Sequence, residues 1–403
     1  MIVSRQIGLG ATLLVATLGT LLAVFPGSIP ETWNFAIVDQ ILHWLPAPNN
    51  SGQVAYVEID DPSLRAIGRW PWPRKRTAEL IDKIHDAGAK AVVVDLFFPE
   101  AENPSSDQEL AASLERANAW IGYQFRFTEP TGKPCATNTI PVVVSRSGMA
   151  QSPDLFKAAS MLCNIPVLES RSGGFLNVSG RNFPMVIAQD GVVYPSLALA
   201  SVAALHNQTS LLLHFDISYF ATIKLGLHQI PLDSKGRLSI RPSQGDNSIP
   251  RIPALRLLHP TTDTPNLKGK LVVLGVHAAG IQEQDSTLLQ ATAIDNLLNG
   301  TAFAGPGTSP LAEWFLMIGA RAAAFWPLTR LRGWKRWTPW TLLLLSLLVL
   351  SLGLFASQNI FVSPVLAIAG LGVQALPVCI VQRWQDKRNA VKIETQLRSA
   401  KQF

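Results

Sequence analysis

From Val54 to Ile59 the apolar positions run without a break, with β-branched and aromatic members, and Asp60, Asp61 and Pro62 stop the run. This predicts a strand. Leu80, Ile81, Ile84 and Ala87 then recur at helical spacing, and Gly88 follows where a left-handed C-terminal residue is favoured. Ala91 to Phe98 is a second apolar run and predicts a buried strand. Strand, helix and strand in this order make a βαβ unit, with parallel strands and a right-handed crossover. Between the first strand and the helix stands Arg69-Trp70-Pro71-Trp72-Pro73-Arg74, a stiff, non-helical connection with a large aromatic surface.

The pattern continues in the same style. Asp61-Pro62 predicts an N-cap with proline at the first helical position, opening a short helix to Ile67. Residues 100–106 read as a polar loop, 107–118 as a helix and 119–127 as a third strand. Residues 128–165, rich in Pro, Gly, Ser and Asn, predict an irregular excursion with a short helix near 153–161. Residues 174–178 read as a strand. Val186 to Tyr194, with Asp190-Gly191 in the middle, is a hairpin signal. Helices are expected over 195–206 and 291–298, and strands over 221–230, 236–241 and 271–275. The fold class expected is therefore an α/β domain with a mixed, partly parallel sheet, entered through an amphipathic segment, Phe35 to Leu45.

A second pattern lies outside this domain. Residues 7–25 carry no charge over roughly 19 positions, enough to cross a bilayer core. Residues 338–356 and 360–382 do the same, and 311–329 is a weaker stretch with Arg321 in its middle. The first stretch reads as an uncleaved anchor; the competing reading, a signal peptide, has only Val24-Phe25-Pro26 at its cleavage end. Gly8, Thr12, Ala16 and Thr20 line one of its faces, which suits close packing either within one chain or between two. Arg321 is either a snorkelling side chain or a buried polar contact that couples the domain to the cytoplasm.

Charge changes the picture by giving these spans a direction. The whole chain holds 34 basic and 28 acidic groups, net +6. Arg5, the loop 330–337 and the tail after residue 382 together carry eleven basic and two acidic groups; residues 26–310 carry 22 basic and 25 acidic. The positive-inside rule then puts both termini and the 330–337 loop in the cytoplasm. The organisation expected is a cytoplasmic N-terminus (1–6), one α-helical span (7–25), an exterior domain (26–310), three further spans (311–329, 338–356, 360–382) and a cytoplasmic tail (383–403). The basic balance is a topology signal, and nucleic acid is not expected as a partner.

Candidate chemistry is sparse. Asp60, Asp61 and Asp95 fall at the carboxyl ends of the two parallel strands, the edge where open α/β sheets bind ligands. They read as cation ligands, as direct contacts to a polar ligand, or as structural groups: Asp61 as a cap, Asp95 as a cap or as a partner of Arg69 or Arg74. Asp285 follows the last strand and reads as a further acid on that edge. Trp70 and Trp72 are either a ligand wall or core packing. Cys135 and Cys163, in the exterior part, are either a disulfide or two separate thiols. None of the seven histidines is paired at ligand spacing, so neither a zinc site nor a cofactor is expected. The G-x-x-x-x-G-K-[ST], H-E-x-x-H, G-x-S-x-G and C-x-x-C patterns are absent, and no catalytic residues are assigned.

Several pieces fall in an order of their own: Glu58-Ile59-Asp60-Asp61, Arg69 to Arg74, Gly88-Ala89-Lys90-Ala91-Val92, Asp95, Gly174 to Val178, Tyr194 to Ala198, Gly269 to Gly275 and Asp295-Asn296-Leu297-Leu298. Together they resemble the type-two CHASE sensory domain (cyclases/histidine kinases associated sensory extracellular) over most of residues 35–300. The layout of one span before and three after is similar too. The chain departs from that pattern at Leu288 to Ala293 and at Gly180 to Pro184. The resemblance implies an input module of a multi-pass receptor in a bacterial inner membrane, with a small-molecule or protein stimulus outside. It also implies a homodimer and a cytoplasmic effector, in cis or in trans: a nucleotide cyclase, a diguanylate cyclase/phosphodiesterase or a protein kinase. A stand-alone membrane interaction subunit is the alternative. Ala390, Ile393, Leu397 and Ala400 begin an a/d seam, so the tail reads either as a solvated basic membrane-exit helix or, the favoured reading, as a signalling helix leading into an effector.

Overall fold

The computed structural model describes residues 46–303, except 129–134, 136, 148–153, 179, 181, 217–220, 227, 234, 246–247, 260–264 and 280–285. It also describes 316–324, 337–358 and the scattered positions 36, 40, 367–368, 371–372, 380, 383–384, 387–388 and 390–391. The chain divides into two compact units: Leu42–Thr308, and the segments Met1–Ile41 and Ser309–Phe403.

The larger unit begins with β1 (Val54–Asp60) and α1 (Asp61–Ile67). The cap of α1 is Asp60, one residue before the expected Asp61. Its carboxylate accepts from the Ser63 amide at 2.9 Å, the three-residue reach of an N-cap, while Asp61 already sits in the first turn. α2 (Arg74–Asp86) buries Thr77, Ala78, Leu80, Ile81 and Ile84 on one face. Gly88 follows it at φ 93°, where a Cβ would meet the Lys268 backbone at 3.1 Å. β2 (Ala91–Val94) is shorter than the run 91–98, because Leu96 and Phe98 leave the sheet to pack beside Trp72 and α2.

α3 (Pro104–Arg116) starts three residues early, since Asn103 caps the Ser106 amide at 2.8 Å. β3 (Ala119–Arg126) matches its expected range. The expected helix near 153–161 is not formed over the described residues 154–161. There the Ala158 and Ala159 amides bond the Ala188 and Arg126 carbonyls, and the excursion holds β4 (Val142–Arg146) and β5 (Ser160–Leu162) instead. Next come α4 (Pro166–Glu169), β6 (Ser172–Phe175) and β7 (Asn182–Pro184). β8 (Val186–Gln189) and β9 (Val192–Pro195) form the expected hairpin, with Asp190 and Gly191 at φ 50° and 81°.

α5 (Leu197–Leu205) is capped by Ser196. β10 (Leu211–Phe215) was not legible as a strand. β11 (Ala221–Leu225) and β12 (His228–Leu232) divide the expected single strand 221–230 into a hairpin, with Gly226 at φ 60°. β13 (Arg237–Ser239), β14 (Arg251–Pro253), α6 (Ala254–Leu258), β15 (Leu271–His277) and α7 (Ser286–Asn299) complete the unit.

The main sheet runs β14-β1-β15-β2-β3-β5, with β6 also on β3. Every pair is parallel except β3 with β5, so the sheet is mixed. β1 and β2 are parallel as expected but are not neighbours: β15, about 180 residues later, inserts between them. Val54, Tyr56, Ala91, Val93, Leu271 and Val273 lie in one core with α5 and α7 residues. Ala55, Val57, Ile59, Val92, Val94, Val272, Leu274 and Val276 lie in the other with α2 and α3 residues. A smaller sheet, β12-β11-β10-β4, borders the first core.

In the other unit, residues 316–324 are helical and α8 spans Trp337–Gln358. Thr338–Phe355, with mean hydropathy 2.0, is the one helix among the described residues long and apolar enough to cross a membrane. Leu347, Ser351 and Phe355 are buried at four-residue spacing, while Leu342, Leu345 and Val349 are 66%, 58% and 61% exposed. Of the four expected spans, 338–356 coincides with α8. The span 7–25 lies outside the described residues, and 311–329 and 360–382 are described only in part.

Candidate functional site

Four neighbouring strands, β14, β1, β15 and β2, are parallel, so their carboxyl ends share one edge. Asp60 at the end of β1 lies in register with His277 at the end of β15. Strand alternation puts Glu58, Asp60, Asp95, Gly275 and His277 on the sheet face that α7 covers, the face of Tyr56 and Val273. On that face the ends of β1, β15 and β2 are therefore polar or bare.

Asp95 is buried, 7% exposed, and continues β2 through its amide, which bonds the Leu274 carbonyl at 2.8 Å. Its carboxylate accepts from the hydroxyls of Thr287 at 2.7 Å and Ser286 at 3.4 Å, both in the first turn of α7. Glycine at 275 makes this possible, since a Cβ there would stand 2.1 Å from Thr287 Oγ1. Asp60 is used as the cap of α1 and also accepts from Ser63 Oγ, which itself accepts from the Leu255 amide of α6 at 3.1 Å. Asp61, half-buried, accepts from the Ala279 amide at 3.3 Å. Asp285 lies outside the described residues.

Asp60, Asp61 and Asp95 thus stand on one edge, with Ser63, His277, Ser286 and Thr287 beside them. Sequence reasoning missed these last four. Thr287 carried no signal of its own, because a hydroxyl inside a helix reads as filler. Glu58 was read only as a motif residue. It is buried and pairs with Arg251, whose Nε lies 3.0 Å from the carboxylate and whose guanidinium lies 5.4 Å from the Tyr56 ring.

The tryptophan-proline element has a different role from a ligand wall. The Trp70–Pro71 peptide is cis. Trp72 is 3% exposed, its indole donates to the Gly68 carbonyl at 2.9 Å, and its ring lies 6.1 Å from that of half-buried Trp70. Arg69, Pro71 and Pro73 are exposed. Arg74 is not where a bridge to Asp95 would need it. It pairs with buried Asp107 of α3 at 3.5 Å, donates to the Glu100 carbonyl at 2.7 Å and stacks on Phe98 at 4.5 Å. The element is a brace between α1, α2 and α3.

The far end of α7 is tied as well. Asp295, 2% exposed, accepts from the Ser51 amide at 2.9 Å and its hydroxyl at 2.6 Å. Asn296 exchanges two bonds with the Arg241 backbone, at 2.6 and 2.9 Å, and Asn299 donates to the Asn49 carbonyl at 2.7 Å. Arg241 donates to the Pro46 carbonyl at 3.0 Å; burial pulls its guanidinium below the usual arginine value. The segment entering the domain and the helix leaving it are therefore held together.

Some buried side-chain atoms among the described residues have no hydrogen-bond partner. Gln290 of α7 is 0% exposed and neither of its amide atoms is hydrogen-bonded. A polar group left so costs about 1–3 kcal/mol. Tyr123 is 0% exposed with Thr139 beside its hydroxyl, and burial pushes its phenol well above the ordinary value. Near it, Cys135 and Cys163 are joined as a disulfide with Cα atoms 5.5 Å apart. Arg321, 7% exposed, is buried within the smaller unit. Among the described residues, no three His, Cys, Asp or Glu side chains are grouped to hold a metal ion.

The model of one protein family, the CHASE2 domain, matches residues 11–352. No curated protein and no solved structure matches the chain.

Proposed function

The chain belongs to the CHASE2 domain family, extracytoplasmic sensory domains of signalling receptors, and from that premise we propose that it is the input part of a bacterial transmembrane receptor. The family match, which spans the α/β unit and continues into α8, is the observation that carries this reading. In it, residues 26–310 lie outside the inner membrane, helices 7–25, 311–329, 338–356 and 360–382 cross it, and both termini are cytoplasmic. The exposed apolar face of α8 supports lipid contact for that helix. The partners proposed are a second copy of the chain, a small-molecule or protein stimulus and a cytoplasmic cyclase, diguanylate cyclase/phosphodiesterase or kinase. No catalytic residue is assigned to residues 1–403.

A stimulus at the strand-end edge, where Asp60, Asp61 and Asp95 stand, would bias two arrangements of the domain. α7 supports this mechanism. Its first turn holds Asp95 through Thr287, and its last turns hold Ser51 and Asn49, which lead by connectivity to the first span. A rigid helix of this length spans about 20 Å. Displacement at Thr287 would thus be felt at the entry and exit segments.

Labelling of single cysteines in intact cells tests the placement. Lys90→Cys should react with a membrane-impermeant maleimide from outside, and Lys335→Cys only after permeabilisation. The reverse pattern would put the proposed sensor in the cytoplasm and end this reading.

A further inference from the structure

The two edges of the smaller sheet, β12-β11-β10-β4, differ in what they offer. β12 closes one of them. It makes a two-residue hairpin with β11, in which Leu225 pairs with His228. That pair exchanges hydrogen bonds in such a hairpin, so Gln229 and Pro231 face outward, and proline has no amide to offer there. β4 leaves the other edge open. Its parallel ladder to β10 starts with the Leu211 amide on the Pro141 carbonyl at 2.9 Å and ends with the Ser147 amide on the Phe215 carbonyl at 3.0 Å. By alternation, Val143 and Ser145 bond β10, and the amides and carbonyls of Val142 and Val144 point away from the sheet. These have no hydrogen-bond partner among the described residues, although β9 packs against β4. Val144 shows the same opening: it lies in register with buried Leu213, on the core side, yet is 36% exposed. On the other face Val143 and Leu212, also in register, are both exposed.

We propose that the open edge of β4 is where two copies of this chain join, antiparallel, about a two-fold axis at Val143, so that the smaller sheet continues from one copy into the other. The proposal rests on the reading of a second copy as partner and names the surface that copy uses. The edge is complementary to itself. With Val143 opposite its counterpart, Val142 exchanges both bonds with Val144 of the partner subunit, and each free donor meets a free acceptor. Charge permits the same register. Residues 140–146 hold no acid and one base, and Arg146 falls opposite Ile140 of the partner subunit, so no like charges meet. Val143 and Leu212 then form one apolar strip with their counterparts. Head-to-tail joining, which would grow filaments, needs the β12 edge and meets Pro231 there. A five-residue strand is short of the roughly 20–30 residues a side of a standard interface. Confinement of both copies to one bilayer offsets this by raising their effective concentration.

Cysteine cross-linking of the full chain in native membranes tests this, in a Cys379→Ser background where Cys135 and Cys163 are already bonded to each other. Opposed Cα atoms in a non-hydrogen-bonded antiparallel pair lie about 4.5 Å apart, within disulfide range. Val143→Cys should therefore give a reducible dimer with a mild oxidant. Lys224→Cys, on the same face but two strands in from the edge, should not. Subunit counting by single-molecule photobleaching, in discs of native membrane, should find two copies of the natural protein and one of Val144→Pro, which removes an outward amide only. Val144→Lys serves if the proline variant does not fold. Two copies that persist in the Val144 variants, or equal cross-linking at Lys224→Cys, overturn the β4 contact while the homodimer reading stands. A single copy of the natural protein overturns that reading and the contact with it. A cross-link from Val143→Cys to a different protein gives the edge to another strand and overturns the proposal.

Discussion

Thr287 donates its hydroxyl to the Asp95 carboxylate at 2.7 Å, a bond between residues 192 positions apart that joins the end of β2 to the start of α7. Both groups are buried, so the acceptor has little recourse to water. Thr287→Val keeps the shape and removes the donor. It should lower stability by about 1–3 kcal/mol, the cost of leaving a buried charged acceptor short of a partner. Thr287→Ser should recover most of the loss. Equilibrium unfolding of the full chain reads both; equal stability for the valine and the natural protein would remove this bond from the account.

Gly275 stands under the same contact. A methyl group there would lie 2.1 Å from Thr287 Oγ1, closer than atoms approach without a shift of backbone. Gly275→Ala should therefore cost about 1–3 kcal/mol by overpacking. Combined with Thr287→Gly, which removes the obstructing side chain, the alanine should cost much less. Equal penalties in both backgrounds would mean that the crowding is relieved elsewhere.

The sheet was legible where one signal sufficed. Val54 to Ile59, Ala91 to Val94 and Leu271 to Gly275 are apolar runs, and burial on both faces is what such runs mean. The hairpin at Asp190-Gly191 was legible because those residues accept positive φ. Order in the sheet was not, since nothing local says that β15 will separate β1 from β2. The excursion 128–165 misled for a related reason: β4 and β5 are strands only through partners at Leu211 to Phe215 and Gln124 to Arg126. At the candidate site, the strand-end acids were legible from position along the chain. Their partners were not, because Ser286 and Thr287 acquire meaning only when α7 is laid across the sheet.

The other end of α7 gives a prediction about motion. Asp295 holds Ser51 by two bonds, to amide and hydroxyl. Asp295→Ala removes both and should cost roughly 2–4 kcal/mol, as for hydrogen bonds to a buried charged group. If α7 is the link between the strand ends and the entry segment, amide exchange over residues 46–53 should quicken in Thr287→Val as well as in Asp295→Ala. Hydrogen exchange read by mass spectrometry on the full chain separates the cases. Faster exchange in the Asp295 variant alone would make the two ends of the helix independent.

Tyr123 gives a prediction about pH. Its hydroxyl is buried beside Thr139, so Tyr123→Phe removes at most one neutral contact and should change stability by no more than about 1 kcal/mol near neutral pH. Burial raises the phenol pKa in the folded state above its unfolded value of about 10. The unfolded chain then ionises first as pH climbs. Stability that is complete below about pH 10 should fall above it, at up to about 1.4 kcal/mol per pH unit from this group. Other tyrosines and the lysines contribute to alkaline unfolding in both proteins, so the difference between them isolates Tyr123. That difference should be constant below about pH 9 and grow in favour of the phenylalanine variant toward about pH 11. Denaturant titrations across this range measure it directly. A constant difference would mean that the phenol reaches water when it ionises, and that the aromatic cluster of Tyr123, Phe125 and Tyr194 opens more readily than its packing implies.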